Sequence, residues 1–210
     1  MVSLSPANRI LATAIALLLL LSSRVWAAEE PVILCLGDSL TAGLGVGPDE
    51  AWPGRLQAHL RAGGYPHKVV NAGVSGDTTA GGLHRLDWVL QTKPTLAILA
   101  LGANDGLRGL DPTLMEQNLE TILQRLQRSG VRTLLAGMRL PPNYGEAYSQ
   151  TFAEVFPRLA ERHRIPLIPF LLDQVAGHKE LNLPDGIHPN AQGHGIILEH
   201  SVWPVLQPLL

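Results

Sequence analysis

Near its start the chain reads Val32-Ile33-Leu34-Cys35-Leu36 and passes directly into Gly37-Asp38-Ser39-Leu40-Thr41-Ala42-Gly43. A short apolar run that ends in this way predicts a buried strand followed by a glycine-rich turn. The carboxyl ends of parallel strands face the crevice in which open α/β sheets bind ligands. Ser39 is thus expected to face a ligand, although a serine at such a position more often caps the next helix.

The remainder of the chain alternates between predicted strands and predicted helices. Apolar runs predict further strands at 68–71, 96–101, 133–137 and 166–170. Helical spacing of apolar residues predicts helices from Trp52 to the Gly63-Gly64 stop and at 79–91, 114–129, 148–164 and 191–206, with Pro157 kinking or dividing the fourth. Continuous apolar strands joined by helices form parallel sheets that are covered on both faces. We therefore expect an α/β fold, a flavodoxin-like three-layer α/β/α sandwich with a five-stranded parallel sheet.

The composition is that of one ordinary domain with a sizeable core, since 46% of the 210 residues are apolar and 16% are charged. The formal net charge is -2 and no run of Lys or Arg occurs, which argues against a nucleic-acid partner. Cys35 is the single cysteine, so no internal disulfide can form, and its place in an apolar run predicts a core residue.

The first residues have the pattern of a secretory signal peptide. Arg9 precedes an apolar stretch at 10–21, which is followed by a segment that ends in small residues. The alternative is a membrane anchor, but the stretch is shorter than the roughly 20 residues that a spanning helix needs. Val25 and Ala27 fit the small-x-small cleavage pattern. We expect a signal peptide at 1–27, cut after Ala27, a mature domain at 28–210 in the periplasm or the medium, and no stable membrane anchor.

Three more segments follow predicted strands. Gly76-Asp77-Thr78 comes after the second strand and Gly102-Ala103-Asn104-Asp105 after the third. Asp185-Gly186-Ile187-His188-Pro189 lies between the fifth strand and the last helix. Right-handed crossovers bring the carboxyl ends of parallel strands to one edge of the sheet. These segments and Ser39 are therefore expected to meet at that edge.

The residue types in these segments suit acyl transfer. The hydroxyl of Ser39 can act as a nucleophile if a base removes its proton. His188 can be that base, because an imidazole titrates near neutral pH. Asp185, three residues earlier, can orient the imidazole and stabilise its cation.

The oxyanion that forms in acyl transfer needs hydrogen-bond donors aimed at it. The side-chain amide of Asn104 and the backbone N–H of Ser39 are two candidates. A glycine in the second segment supplies a third, since glycine lets the backbone approach a ligand closely. This argument does not distinguish Gly73 from Gly76.

The four segments resemble the sequence blocks of the SGNH (GDSL-type) hydrolases. Within that superfamily, the chain is most similar to the bacterial periplasmic branch of thioesterase I, lysophospholipase L1 and arylesterase. The matching residues lie at 37–40, 71–78, 102–106 and 185–190, and a further similar segment lies at 139–145. Ala103 stands where the branch more often has a glycine. The resemblance covers nearly all of residues 31–210.

This resemblance implies a serine hydrolase that acts on aryl esters, acyl thioesters and lysophospholipids without a metal or organic cofactor. It implies Ser39, Asp185 and His188 as the catalytic residues and Ser39, Asn104 and Gly76 as the oxyanion donors. Gly76 is favoured over Gly73 because it directly precedes Asp-Thr. We expect the enzyme to be a monomer.

The loops at the same edge are expected to set the substrate preference. Leu107 and Leu110 follow Asn104 and can contact an acyl chain, and Pro142 and Tyr144 can form another wall. Two alternatives stay open. A carbohydrate O-acetyl esterase would use the same catalytic set, but aromatic residues for stacking on sugars make up only 5% of the chain. A non-catalytic module that binds a small ligand would not need these residues at one edge.

Overall fold

The computed structural model describes residues 30–210, in which strands and helices alternate. Its strands are β1 (Val32–Gly37), β2 (Lys68–Gly73), β3 (Leu96–Ala100), β4 (Arg132–Ala136) and β5 (Leu167–Ile168). They form one parallel five-stranded sheet in the order β2-β1-β3-β4-β5, which is the order of a flavodoxin-like doubly wound sheet. The predicted fold class is confirmed. The expected signal peptide and its cleavage site lie outside the described residues.

The helices cover both faces of this sheet. They are α1 (Ser39–Ala42), α2 (Trp52–Ala62), α3 (Thr79–His84), α4 (Leu86–Leu90), α5 (Ala103–Leu107), α6 (Pro112–Arg128), α7 (Glu146–His163), α8 (Ala191–Ile196) and α9 (Trp203–Leu206). Helix α2 packs against the segment Ile197–Val202, which joins α8 to α9. Helix α6 packs against α3 and α7. A helix long and apolar enough for a membrane crossing does not occur within residues 30–210.

The apolar character of the strands follows from their burial between two helical layers. Leu36 in β1, Leu99 in β3 and Leu135 in β4 are aligned in the strand register, and all three are fully buried. All five residues of β3 are buried. Such strands keep no solvent-facing polar side, which is why their sequence does not alternate.

Two predicted helices differ from the structure. The helix expected at 79–91 is divided into α3 and α4 at Arg85, whose backbone (φ -93°, ψ 3°) leaves the helical region. The last helix is interrupted by a π-helical segment, Ile197–Val202, which precedes Pro204. Proline has no N–H and breaks the regular ladder next to it. Pro157, in contrast, does not divide α7.

Two short helices, α1 and α5, were not predicted, and each begins directly beyond a central strand. β1 and β3 are neighbours, but the chain leaves them toward opposite sides of the sheet. That position is the topological switch point at which doubly wound sheets form their crevice. Ser39 in α1 and Asn104 in α5 therefore lie on either side of it.

A buried histidine in α8 joins that helix to the start of α2. The side chain of His194 is enclosed, with only 1% of the residue exposed, and its Nδ1 accepts a hydrogen bond of 3.3 Å from the Trp52 N–H. Burial lowers the pKa of His194 to about 4, and the nearby charge of Arg55 acts in the same direction. The neutral imidazole is thus the form that the folded protein accommodates.

This histidine predicts acid sensitivity of the fold. Because the pKa of His194 is lower in the folded than in the unfolded state, the unfolded chain binds the proton more readily below about pH 6.5. The free energy of unfolding should therefore fall by up to about 3 kcal/mol as the pH drops from 6.5 through 4. Urea unfolding at pH 7 and pH 4.5 measures this loss, and His194→Gln should reduce it. The exposed His84→Gln is the control, and identical pH profiles for wild type and His194→Gln would contradict the prediction.

Candidate active site

Ser39 begins α1 immediately after β1, and the side chain of the preceding residue caps that helix. Asp38 Oδ1 accepts a 3.0 Å hydrogen bond from the Leu40 N–H. Ser39 is only 8% exposed, and its backbone N–H has no acceptor within residues 30–210. The serine is thus held in a tight turn with an unused donor beside its hydroxyl.

The structure brings Ser39, His188 and Asp185 into one hydrogen-bonded chain. Ser39 Oγ lies 3.0 Å from His188 Nε2, and His188 Nδ1 lies 2.7 Å from Asp185 Oδ2. The serine and the histidine are 149 residues apart in the sequence, so this contact is a product of the tertiary fold. The three predicted side chains therefore lie within hydrogen-bond distance in the expected order.

The loop that carries Asp185 and His188 is organised by the aspartate itself. Asp185 Oδ1 accepts the backbone N–H groups of Ile187 and His188, each at 3.0 Å. These two bonds, together with the His188 side chain, lower the pKa of Asp185 to about 2. The carboxylate is therefore charged at neutral pH, and its second oxygen is directed to the imidazole.

Asn104 and the loop after β2 are joined to each other. Asn104 Nδ2 donates a 2.9 Å hydrogen bond to the carbonyl of Asp77 and lies 3.4 Å from Asp38 Oδ2. Gly76 has a φ of +80°, a conformation that glycine adopts without strain. Its N–H has no acceptor in the described part of the chain, whereas its carbonyl accepts 2.7 Å from Arg108 Nη2.

Gly73 differs from Gly76 in the hydrogen bonding of its N–H and in the space around its Cα. Its N–H donates to Asn71 Oδ1 at 2.9 Å and so already has an acceptor. A Cβ at Gly73 would lie 2.2 Å from the backbone nitrogen of Ala42, which explains why a residue without a side chain is needed there. Of these two glycines, only Gly76 has an N–H without an acceptor in the described residues, which favours Gly76 over Gly73 as the oxyanion donor.

Asp38 is a buried carboxyl group beside these residues. It is 1% exposed, and burial raises its pKa to about 6 even though the Leu40 N–H and the charge of His188 lower it. Asp77 also raises it. Through its bond to the Leu40 N–H, this carboxyl group belongs to the turn around Ser39.

A cavity of about 520 Å³ opens next to Ser39, Asn104 and His188. Its other walls are mostly apolar and come from α1, from α5, from the segments after β4 and β5, and from the 182–188 loop. The residues are Leu40, Ala103, Leu107, Met138, Arg139, Leu140, Pro141, Pro142, Phe170, Leu172, Ala176, Gly177, Asn182, Gly186 and Ile187. The cavity can hold an extended apolar group whose end reaches Ser39.

Two of the four predicted substrate-contacting residues line this cavity, namely Leu107 and Pro142. Leu110 and Tyr144 do not. Leu110 lies beyond the end of α5 and is 43% exposed, and the Tyr144 hydroxyl donates to the Leu107 carbonyl at 2.9 Å. Tyr144 thus contacts the backbone of a wall residue, and neither Tyr144 nor Leu110 contributes to the lining.

Sequence reasoning missed three apolar wall residues that follow β4 and β5. Met138, Phe170 and Leu172 come directly after these strands and contribute apolar surface to the cavity. Residues that follow the carboxyl ends of parallel strands are expected to face the crevice, and this expectation identified Ser39 and Asn104. Applied to apolar residues, it would also have identified Met138, Phe170 and Leu172. Within residues 30–210, no group of three or more His, Cys, Asp or Glu side chains is close enough to hold a metal ion.

Comparison with known proteins agrees with this geometry. Residues 35–196 match the model of the GDSL-like lipase/acylhydrolase family. The chain is 43% identical over 184 residues to esterase TesA of Pseudomonas aeruginosa, which covers 87% of this chain and 91% of that protein. It is 40% identical over 194 residues to thioesterase 1/protease 1/lysophospholipase L1 of Escherichia coli K12, which covers 92% of this chain and 90% of that protein.

A solved crystal structure of TesA superimposes with a TM-score of 0.82 at 43% identity and covers 85% of this chain and 99% of its own. The match therefore extends over the sheet, the helices and all four segments that carry the site residues. On the family match, the relatives and the shared fold, the chain belongs to the GDSL-like lipase/acylhydrolase family.

Proposed function

We propose that the protein is a serine esterase that hydrolyses carboxylic acyl esters and thioesters through an acyl-enzyme at Ser39. The observation that carries the proposal is the hydrogen-bonded chain from Ser39 Oγ through His188 to Asp185 at the mouth of an apolar cavity. The names of the relatives, which are an esterase and a thioesterase/lysophospholipase, agree with it.

His188 moves the protons in this mechanism. Its Nδ1–H donates to the ionised Asp185, so that Nε2 is free to take the proton of Ser39 Oγ. The oxygen then forms a bond to the acyl carbon, and the leaving alcohol or thiol takes the proton from Nε2 as its bond breaks. Water attacks the acyl-enzyme in the same way, releases the carboxylic acid and restores Ser39.

The oxyanion of each tetrahedral intermediate is stabilised by the N–H groups of Ser39 and Gly76 and by the Asn104 amide. Both backbone N–H groups lack an acceptor within residues 30–210, and Asn104 is held by its bond to the Asp77 carbonyl. Donors fixed in advance in this way stabilise the transition state without reorganisation, and the loss of one typically costs about 2.7–4 kcal/mol of barrier.

We also propose that residues 1–27 are a signal peptide and that the mature enzyme acts as a monomer in the periplasm or the medium. The basic start, the short apolar stretch and the small residues before Ala28 support the first part. The assigned catalytic and oxyanion residues all come from a single chain, which supports the second.

Removal of the nucleophile should abolish activity. Ser39→Ala is expected to lower kcat on p-nitrophenyl esters by about 10⁴- to 10⁶-fold, because the acyl-enzyme can no longer form. A fluorophosphonate should label the wild type and not the variant. Far-UV circular dichroism controls for folding. Ester hydrolysis that persists in folded Ser39→Ala would refute the mechanism, and activity confined to acetyl esters would favour a carbohydrate esterase.

The cavity predicts different effects for two neighbouring leucines. Leu107→Ala should lower kcat/KM for long acyl chains relative to acetyl by about ten-fold, since a methylene contact in an apolar pocket is worth about 1–3 kcal/mol. Leu110→Ala is the matched control and should leave the chain-length profile unchanged, because Leu110 is outside the lining. Profiles from acetyl to palmitoyl esters test this pair. Equal effects of the two substitutions would show that the assigned cavity does not hold the acyl chain.

Export predicts a defined mature end. When the full chain is expressed in a Gram-negative bacterium, mass spectrometry of the active protein should find Ala28 as its first residue. Replacement of Ala27 by Glu should block this cleavage, since the site needs a small residue. A protein that retains Met1 through Ala27 in the active fraction would refute the signal peptide.

A further inference from the structure

We propose that Arg85 is a positioning residue that holds the Gly76 N–H in place relative to Ser39. This inference rests on the proposed function, because it assigns to Arg85 the support of a donor that the mechanism uses. Arg85 itself does not line the cavity. Its effect on the reaction would pass through the backbone that it binds.

The guanidinium of Arg85 binds one side-chain carboxylate and two backbone carbonyls around the active site. Its Nε donates to Asp77 Oδ2 at 2.7 Å, and Asp77 directly follows Gly76. Its Nη1 donates to the Ala72 carbonyl near the end of β2 at 2.7 Å. Its Nη2 donates to the Gly37 carbonyl, two residues before Ser39, at 2.9 Å. One side chain thus connects the strand that delivers the serine to the loop that delivers Gly76.

These bonds are largely shielded from water. The side chains of Arg85 and Asp77 are 16% and 10% exposed, so their ion pair is screened less than a surface pair. Hydrogen bonds to ionised groups are shorter and stronger than neutral ones. The three donors diverge in the fixed plane of a guanidinium, and lysine has no such plane. The arrangement therefore requires arginine and not merely a positive charge.

Gly76 needs this support because its own conformation is weakly restrained. A glycine at a φ of +80° can move to other backbone regions at little cost. The loop is otherwise held by the Asp77 N–H bond to the Val74 carbonyl, by the Asn104 Nδ2 bond to the Asp77 carbonyl, and by Arg108, whose bond to the Gly76 carbonyl is exposed to solvent. Arg85 is the anchor that joins this loop to the ends of β1 and β2, and its loss would leave the Gly76 N–H imprecisely aimed.

The break between α3 and α4 belongs to the same arrangement. The two helices meet at Arg85, where the backbone leaves the helical region. The interruption, which sequence periodicity did not predict, therefore falls at the residue whose side chain binds β1, β2 and Asp77.

The test measures kcat and KM separately for Arg85→Gln and Arg85→Lys with a p-nitrophenyl ester, at a temperature well below the melting of each variant. Because Gly76 contributes mainly in the transition state, kcat should fall about 10- to 100-fold in Arg85→Gln, with KM changed less than about threefold, since complete loss of one oxyanion donor costs about 10²- to 10³-fold. Arg85→Lys should recover only part of kcat. Ethylguanidinium should partly restore the folded Arg85→Ala variant.

A double-mutant cycle with Asp77→Asn identifies the route of the effect. If Arg85 acts through Asp77, the double variant should lose less than the product of the two single losses. Arg125→Gln is the control, because Arg125 pairs with Asp87 between α6 and α4, away from the strand ends. It should keep kcat within twofold.

Three results would overturn the proposal. The first is an unchanged kcat in folded Arg85→Gln, and the second is a raised KM with kcat unchanged. The third is a lowered melting temperature while the folded fraction keeps its full kcat. Ser39→Ala in the same assay separates the two claims. Activity that survives in Ser39→Ala refutes the proposed function, whereas loss there with full activity in Arg85→Gln refutes only the role of Arg85.

Discussion

The parallel pairing of β1 with β2 and β3 is the constraint on which the site depends. In this register, Gly37 lies beside Gly73 on one side and beside Ala100 on the other. All three strands therefore end at the same level, and the residues that follow them begin at one edge. Ser39, Gly76 and Asn104 follow these strand ends by only a few residues. The hydrogen bonds of the sheet thus bring all three to the same edge. The 182–188 loop then has only to fold back onto this edge.

The carboxyl groups around the site show how environment divides their roles. Asp185 accepts two backbone N–H bonds and a histidine, and its pKa falls to about 2. Asp38 is enclosed by the protein, and its pKa rises to about 6. Asp77 is paired with Arg85. Hydrogen bonding lowers the pKa of Asp185 and burial raises that of Asp38, so that the first serves as an orienting charge and the second as a turn cap, while Asp77 serves as the ion partner of Arg85.

The cavity distinguishes between the substrate classes that the catalytic set alone leaves open. Its walls are formed mainly by aliphatic side chains, prolines and one phenylalanine, with Arg139 stacked on the Phe170 ring at 5.2 Å. Apolar walls favour an acyl chain over a sugar, which would need polar groups along the cleft. The proposed preference for acyl esters thus rests mainly on apolar residues after β3, β4 and β5 that take no part in the proton transfers.

Local sequence was sufficient for the strands, the parallel sheet and the four site segments, because buried strands are continuously apolar and turns require particular residues. The pairing of Asp185 with His188 was also predictable, since the two lie three residues apart in one loop. The hydrogen-bond partners that a side chain reaches on distant parts of the chain were not predictable. Nothing in the local pattern at 79–91 shows that Arg85 ends a helix and reaches the carbonyls of Gly37 and Ala72.

The same limit explains why the sequence did not separate Leu107 from Leu110 or Gly73 from Gly76. Leu107 and Leu110 are equivalent as local sequence, and only the packing of α5 turns one toward the cavity. Gly73 ends β2 and Gly76 lies in the turn that follows, and Asn71 accepts the Gly73 N–H, whereas the Gly76 N–H has no acceptor within residues 30–210. The amino-acid sequence alone determined which elements form and which residues reach the sheet edge. The tertiary structure decided which atoms meet there, because long-range packing sets the direction of each side chain.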